Sequence, residues 1–357
     1  MNAPRRLGSA IALALVVAVA IPARPAPAQT LDLGSAFEGY IELLRQQAGI
    51  PAISGVLVQD RAIVWERGLG YANLDTRVPA RPDTPYLVGD LTESLASVLV
   101  LRCVEQRQLA LDREITNYGG ALPEERATIR QVLSHTSTGP GTFRFSPERY
   151  AQLTGAVEHC ARQPFRKTIA LQLLDTLAMA RSVPGRDFAT AGAVAGDMFD
   201  PQYFEHYRRV LDSLAVPYKV DKRGHATRSE VPVDGIDAST GLVSTAHDLA
   251  QFDIALDNGI LLREDTRVLA WSPAASQAGV AVPTGLGWFV QSYRGTPVIW
   301  QYGVIANAYS GIIVKIPAKR ITMILLANSD GLAIPYQLEA GDVTRSPFAS
   351  VLLRMLL

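Results

Sequence analysis

Asp90 and Glu93 stand three residues apart at the opening of an apolar stretch that continues Ser94-Leu-Ala-Ser-Val-Leu-Val100. On a helix, acids at that spacing share one face of the first turn. As plain structure, Asp at the N-cap and Glu at the third position reproduce a capping box, which satisfies free amides and is worth ~1 kcal/mol. As chemistry, two acids in a half-buried cleft push one pKa upward and form an acid/base couple. The same pair could also hold a divalent cation through its oxygens. The capping box is the simplest of these expectations. Ser94 and Ser97 lie just beyond, but no Lys or His follows at matching spacing, so both are poor candidates for a nucleophile.

The remaining reactive side chains are dispersed. Histidines 135, 159, 206, 225 and 247 form no His-x-x-x-His pair, and there is no Cys-x-x-Cys, so neither a metal nor another cofactor is expected. His135 is expected to be buried and hydrogen-bonded in a structural role, away from the acids, and His247 to decorate a helix in solvent. Trp288 and Trp300 suit core or cleft-wall packing, and a turn role suffices for Asn328.

Elements that would position the acids can be read from periodicity. Residues 35–48 carry apolar side chains at helical spacing. Two strand-like runs, 53–58 and 62–67, make an antiparallel hairpin that ends at Gly68 and Gly70. From about 86 to 260 helical signals dominate, including 150–160 and 169–179, with an exposed loop over 218–237. The C-terminal third returns to strands at 285–291, 296–301, 309–316 and 321–327, an antiparallel meander covered by a last helix over 348–357. The fold class is therefore α/β of the α+β type. An antiparallel sheet domain built from 29–85 and 285–357 is flanked by helices, and a mainly helical domain, 86–284, is inserted. A ligand cleft is expected between the two.

Composition narrows the function classes. With 357 residues, 48% of them hydrophobic, and a formal net charge of zero, the chain has no electrostatic footprint for nucleic acid or for a membrane surface. Arg5 and Arg6 precede an apolar run from Ile11 to Ile21, and Ala26-Pro27-Ala28 supplies a cleavage site. The expectation is a signal peptide over 1–28, cleavage after Ala28, a periplasmic or secreted protein, and no stable membrane span after cleavage. Cys103 falls in an apolar helix and reads as a small buried hydrophobe, so two free thiols are expected, although export permits a disulfide.

The segment Tyr86-Leu-Val-Gly-Asp90-Leu-Thr-Glu93 resembles the strand-to-helix entry of the serine β-lactamase and penicillin-binding-protein superfamily, aromatic-x-apolar-small-Ser-x-Thr-Lys. Tyr86, Val88, Gly89 and Thr92 match in step. Thr128-Ile-Arg-Gln-Val-Leu-Ser-His-Thr-Ser137, Gly241-Leu-Val-Ser-Thr-Ala-His-Asp-Leu-Ala250, Gly285-Leu-Gly-Trp-Phe289 and Leu325-Leu-Ala-Asn-Ser-Asp330 extend the resemblance, in its class-C-like branch, over nearly all of the chain beyond residue 28. Members of that superfamily hydrolyse or transfer amides and esters, among them peptidoglycan peptides, β-lactams and small acyl esters. The resemblance implies that Asp90 stands for the nucleophilic serine and Glu93 for its lysine partner. It implies too that Phe145, in Phe143-Arg-Phe145-Ser-Pro147, replaces a tyrosine of the second motif. Gln301, in Trp300-Gln301-Tyr302-Gly303 on the innermost strand, replaces the Lys or His of the third. Gly303 keeps close backbone approach open, and the Val304 amide is expected to remain available as an oxyanion donor.

A carboxylate at a helix N-terminus is a stabilised, unreactive anion, and Glu93 cannot act as a cation. Removing a catalytic serine or base costs subtilisin a factor on the order of a million. The sequence thus points to an exported protein that has lost serine acyl transfer and keeps a ligand- or partner-binding cleft, with a small-molecule or peptidoglycan-like ligand expected. The alternative is an active amide or ester hydrolase that uses the Asp90/Glu93 pair.

Overall fold

The computed structural model describes residues 33–122, 126–138, 142–189, 199–232, 234–276 and 278–357. The leader segment read from the sequence lies outside them. Helix α1 (Leu33–Gln47) leads into β1 (Ala52–Gln59) and β2 (Ala62–Asn73), with the short β3 (Val78–Pro79) on the outer edge. The chain then leaves the sheet through β4 (Tyr86–Leu87), a 3-10 turn at Gly89–Leu91, and α2 (Thr92–Glu105). Short helices α3 (Ile129–Leu133), α4 (Pro147–Tyr150), α5 (Leu153–Ala161) and α6 (Phe165–Ile169) follow. Then come β5 (Val183–Pro184), α7 (Pro201–Leu211), the hairpin β6 (Tyr218–Val220) and β7 (Ala226–Arg228), and β8 (Leu242–Ser244). Helices α8 (Ala246–Asp257) and α9 (Glu264–Ala270) precede the meander β9 (Phe289–Tyr293), β10 (Thr296–Ile305), β11 (Tyr309–Ile316) and β12 (Ile321–Ala327), and α10 (Pro347–Leu356) follows it.

The main sheet runs β3-β2-β1-β12-β11-β10-β9, and each of its pairs is antiparallel. Its middle joins the two ends of the sequence, with Ile53 opposite Ala327. Strands β11 and β12 are buried along their whole length because both faces of the sheet are covered, which explains their unbroken apolar runs. Alternation divides their side chains between two cores. Ile312, Val314, Met323 and Leu325 pack under α1 and α10 with Phe37, Ile41, Phe348 and Leu352. Ile313, Ile324 and Leu326 face α2 and α8 with Leu91, Leu95, Leu249 and Phe252.

Several local expectations need correction. The segment 218–237 is not one exposed loop, because it contains the β6–β7 hairpin. The helical run over 169–179 starts earlier, at Phe165, and widens into a π-helical turn at Ala170–Asp175. The Trp300–Gly303 motif lies on β10, one strand in from the edge strand β9, and not on an innermost strand. Cys103 and Cys160 are not free thiols. They form a disulfide with Cα atoms 6.1 Å apart that ties α2 to α5.

Candidate functional site

A backbone contact sets up the site. Gly303 on β10 faces Gly311 on β11 in register, so the sheet offers a saddle without side chains. The turn Gly89–Leu91 rests on that saddle. A Cβ at position 303 would come 2.0 Å from the Val88 carbonyl oxygen and 2.9 Å from the Asp90 nitrogen, and one at 311 would meet Leu91 at 2.8 Å. Gly89 adopts φ +55 and approaches the Val304 nitrogen from the other side. Thr92 locks the turn by donating its hydroxyl to the Gly89 carbonyl at 2.7 Å.

Asp90 and Glu93 do not form a capping box. The N-cap of α2 is Leu91, with no side-chain cap, and both acids turn toward the sheet. The Val304 amide donates to Asp90 Oδ2 at 3.2 Å, so this amide is not available as an oxyanion donor. Gln301 Nε2 donates to Glu93 Oε2 at 3.3 Å, and His135 Nε2 lies 3.2 Å from the same oxygen. His135 is buried, as expected, but it touches the acid pair directly. Its Nδ1 accepts from the Ser146 amide at 3.2 Å, so a neutral ring carries its proton on Nε2 and donates it to Glu93. Glu93 Oε1 is buried without a partner.

Burial sets the charges here. Asp90 retains 7% of its surface and Glu93 none. Burial, reinforced by the charge of Glu93, pushes the Asp90 carboxyl up to about 8. Burial, and then the charge of Asp237, holds Glu93 well above the usual carboxylate range. Burial also drives His135 down to about 3, despite the opposing pull of Asp90. At neutral pH His135 is therefore uncharged and Asp90 mostly protonated, and burial biases Glu93 toward its neutral form.

An aromatic wall closes the other side. Phe145 lies 4.6 Å from the His135 ring and 5.2 Å from Tyr302, while Trp300 stacks on Phe289 at 4.2 Å. The structure thus brings Asp90, Glu93, Phe145, Gln301, Gly303 and Val304 together, as the motifs required. It adds Tyr150, which sequence reasoning took only as the start of a helix. Its hydroxyl donates to the Glu93 carbonyl at 3.1 Å and its ring stacks on His135 at 5.2 Å. The four-residue step from Ser146 to Tyr150 across one turn of α4 was the available signal.

Other candidates lie elsewhere. Ser97 donates to the Ser94 carbonyl, and the Ser94 hydroxyl is buried without a partner, with no lysine bonded to either. The buried lysine, Lys315, is held by Asp253 and Asp257 at 2.8 Å each. His247 is half-exposed and paired with Glu66. Asn328 is no turn residue. It is fully buried, accepts from the Ala52 amide, and donates to the carbonyls of Tyr71, Ala72 and Val216. Trp288 and Trp300 are core residues. Among the described residues, no group of three or more His, Cys, Asp or Glu side chains could hold a metal ion.

A family model described as Beta-lactamase matches residues 37–340. The chain belongs to the Beta-lactamase family. The serine beta-lactamase-like protein LACTB, mitochondrial, of Mus musculus is 31% identical over 126 residues, which is 32% of this chain and 23% of that protein. This chain thus spans less than a quarter of that relative's own length. Penicillin-binding protein 4* of Bacillus subtilis (strain 168) is 21% identical over 297 residues, covering 75% of this chain and 66% of its own. Among solved structures, the octameric penicillin-binding protein homologue from Pyrococcus abyssi superposes with a TM-score of 0.71 at 21% identity, over 90% of this chain and 77% of that one. The α+β fold of the family, with its antiparallel sheet, is therefore the fold of this chain.

Proposed function

We propose that this chain is an exported member of the Beta-lactamase family that no longer performs serine acyl transfer and keeps the surface beside its former site for binding. One observation carries the reading. The Asp90 carboxyl occupies the position of the nucleophile and itself takes the Val304 amide, the donor that would stabilise an oxyanion. Its neighbour Glu93 is a buried acid that burial holds toward its neutral form, which makes it a poor proton acceptor and leaves it unable to supply positive charge.

Recognition would fall to the cavity of about 140 Å³ next to this turn, lined by Leu87, Arg186, Thr240, Gly241 and Ile305 among others. Leu87 precedes the turn and Ile305 follows Val304, so a small ligand, or one end of a peptidoglycan-like one, placed there would lie against the inherited site. Export is supported by the leader pattern and by the Cys103–Cys160 bond, which suits an oxidising compartment. Amino-terminal sequencing of protein recovered from the periplasm or medium tests that part, with Gln29 expected as the first residue.

A fluorescent penicillin and a fluorophosphonate test the loss of acyl transfer, with Asp90→Ser/Glu93→Lys as the control. No covalent label on the unmodified protein is expected, and labelling of it would end the reading. The second reading, a hydrolase working through the acids, draws on the burial that raises both carboxyls above the usual carboxylate range. Turnover of small esters that disappears in Glu93→Gln would favour it.

A further inference from the structure

Far from the acid pair, across the sheet, α1 and α10 leave a groove between them. It encloses about 600 Å³, within the range of small-molecule sites. Its walls are the apolar faces of Leu43, Leu44, Val351 and Met355, with Tyr40 at one side. Tyr40 and Leu43 remain 54% and 52% exposed, although they sit one turn apart on the face that a neighbouring element would normally cover. Arg345 and Arg354 also line the groove. Arg354 stands in the last turn of α10, whereas Arg345 closes the 3-10 turn that precedes that helix. Arg345 bonds Gln337 and lies near Asp342, whose carboxylate is engaged by Thr344 and Gln291. Arg354 pairs with no carboxylate among the described residues, although it closes an otherwise apolar helix.

We propose that this groove binds a single amphiphilic carboxylate, its alkyl or aryl body along Leu43, Leu44 and Val351 and its anionic head at Arg354. A concave trough with apolar walls and a guanidinium free of any carboxylate in its lining suits one amphiphilic molecule better than a flat surface. The guanidinium supplies a paired N–H fork for the head group. The apolar walls supply the burial that a short carboxylate could not exploit.

Titration calorimetry of the full chain with dodecanoate below its micelle threshold tests the proposal. The expected result is saturable one-to-one binding. It should weaken at least ten-fold in Arg354→Glu and in Leu43→Glu, both exposed positions, with the melting temperature of the free protein unchanged. Dodecyltrimethylammonium, with the same tail and the opposite charge, should bind at least ten-fold more weakly. In the unmodified protein, added salt should weaken dodecanoate binding. No saturable heat, equal binding of the cationic amphiphile, or dodecanoate affinity indifferent to salt would overturn it.

Discussion

A carboxyl group that keeps its proton in the folded state makes stability depend on pH, and Asp90 is such a group. The unfolded chain releases that proton near 3.8, whereas the folded protein holds it to about 8. The folded state binds more protons across this window, so stability falls as pH rises through it. Asp90→Asn keeps an acceptor for the Val304 amide and has nothing to ionise. The variant should match the natural protein near pH 4 and gain on it steadily up to about 8, by at most roughly 6 kcal/mol at 1.36 kcal/mol per unit. Urea unfolding at acid, neutral and alkaline pH reads the difference. His135 acts in the opposite sense, its contribution being lost as pH falls from 6.5 toward 3, but it is common to both proteins and largely cancels. Glu93→Gln replaces a neutral acid by a neutral amide that can still accept from His135 and Gln301. Its neutral-pH stability should stay within about 1 kcal/mol of the natural protein.

At the level of elements, the close contact between β10 and the Gly89–Leu91 turn gives the site its shape. Gly303→Ala would drive a methyl group to within 2.0 Å of the Val88 carbonyl, against backbone on both sides. A loss of about 3 kcal/mol or more, or failure to accumulate folded protein, is expected, and denaturant unfolding measures it. This contact was legible in advance only as the residue type Gly303. The strands and the long helix α2 were legible because their apolar runs are long and bounded by turn residues, as were the positions of Asp90, Glu93, Phe145 and Gln301 within inherited motifs. The direction of the acids was not. A capping box and a sheet-facing pair share the spacing Asp-x-x-Glu, and only the 3-10 turn, which shifts the start of α2 to Thr92, separates them. His135 and Tyr150 were missed as site residues because their partners are 42 and 57 positions away from them in sequence. The β6–β7 hairpin escaped notice because its three-residue strands carry charges and little periodicity.

Over the whole molecule, two long-range ties hold the helices to each other and to the sheet. The Cys103–Cys160 bond closes a 57-residue separation, for which chain-entropy arguments give about 4 kcal/mol. Its reduction, or Cys103→Ala/Cys160→Ala, should lower unfolding stability by an amount of that order. Lys315 on β11 joins Asp253 and Asp257 of α8 in a buried ion pair. Lys315→Met would strand the Asp253 carboxylate in the interior at a cost of roughly 3–5 kcal/mol, and Lys315→Met/Asp253→Leu should recover most of it, as read by thermal unfolding. With the framework so maintained, the proposed loss of acyl transfer rests on the state of the buried acids Asp90 and Glu93. Carboxyl-carbon NMR of Asp90 and Glu93 across the pH range, assigned with Asp90→Asn and Glu93→Gln, measures that state directly. The structure predicts a Glu93 that ionises only well above the usual carboxylate range and an Asp90 that titrates at about 8. Two carboxylates already ionised in mildly acidic solution would mean an open, hydrated site and would contradict it.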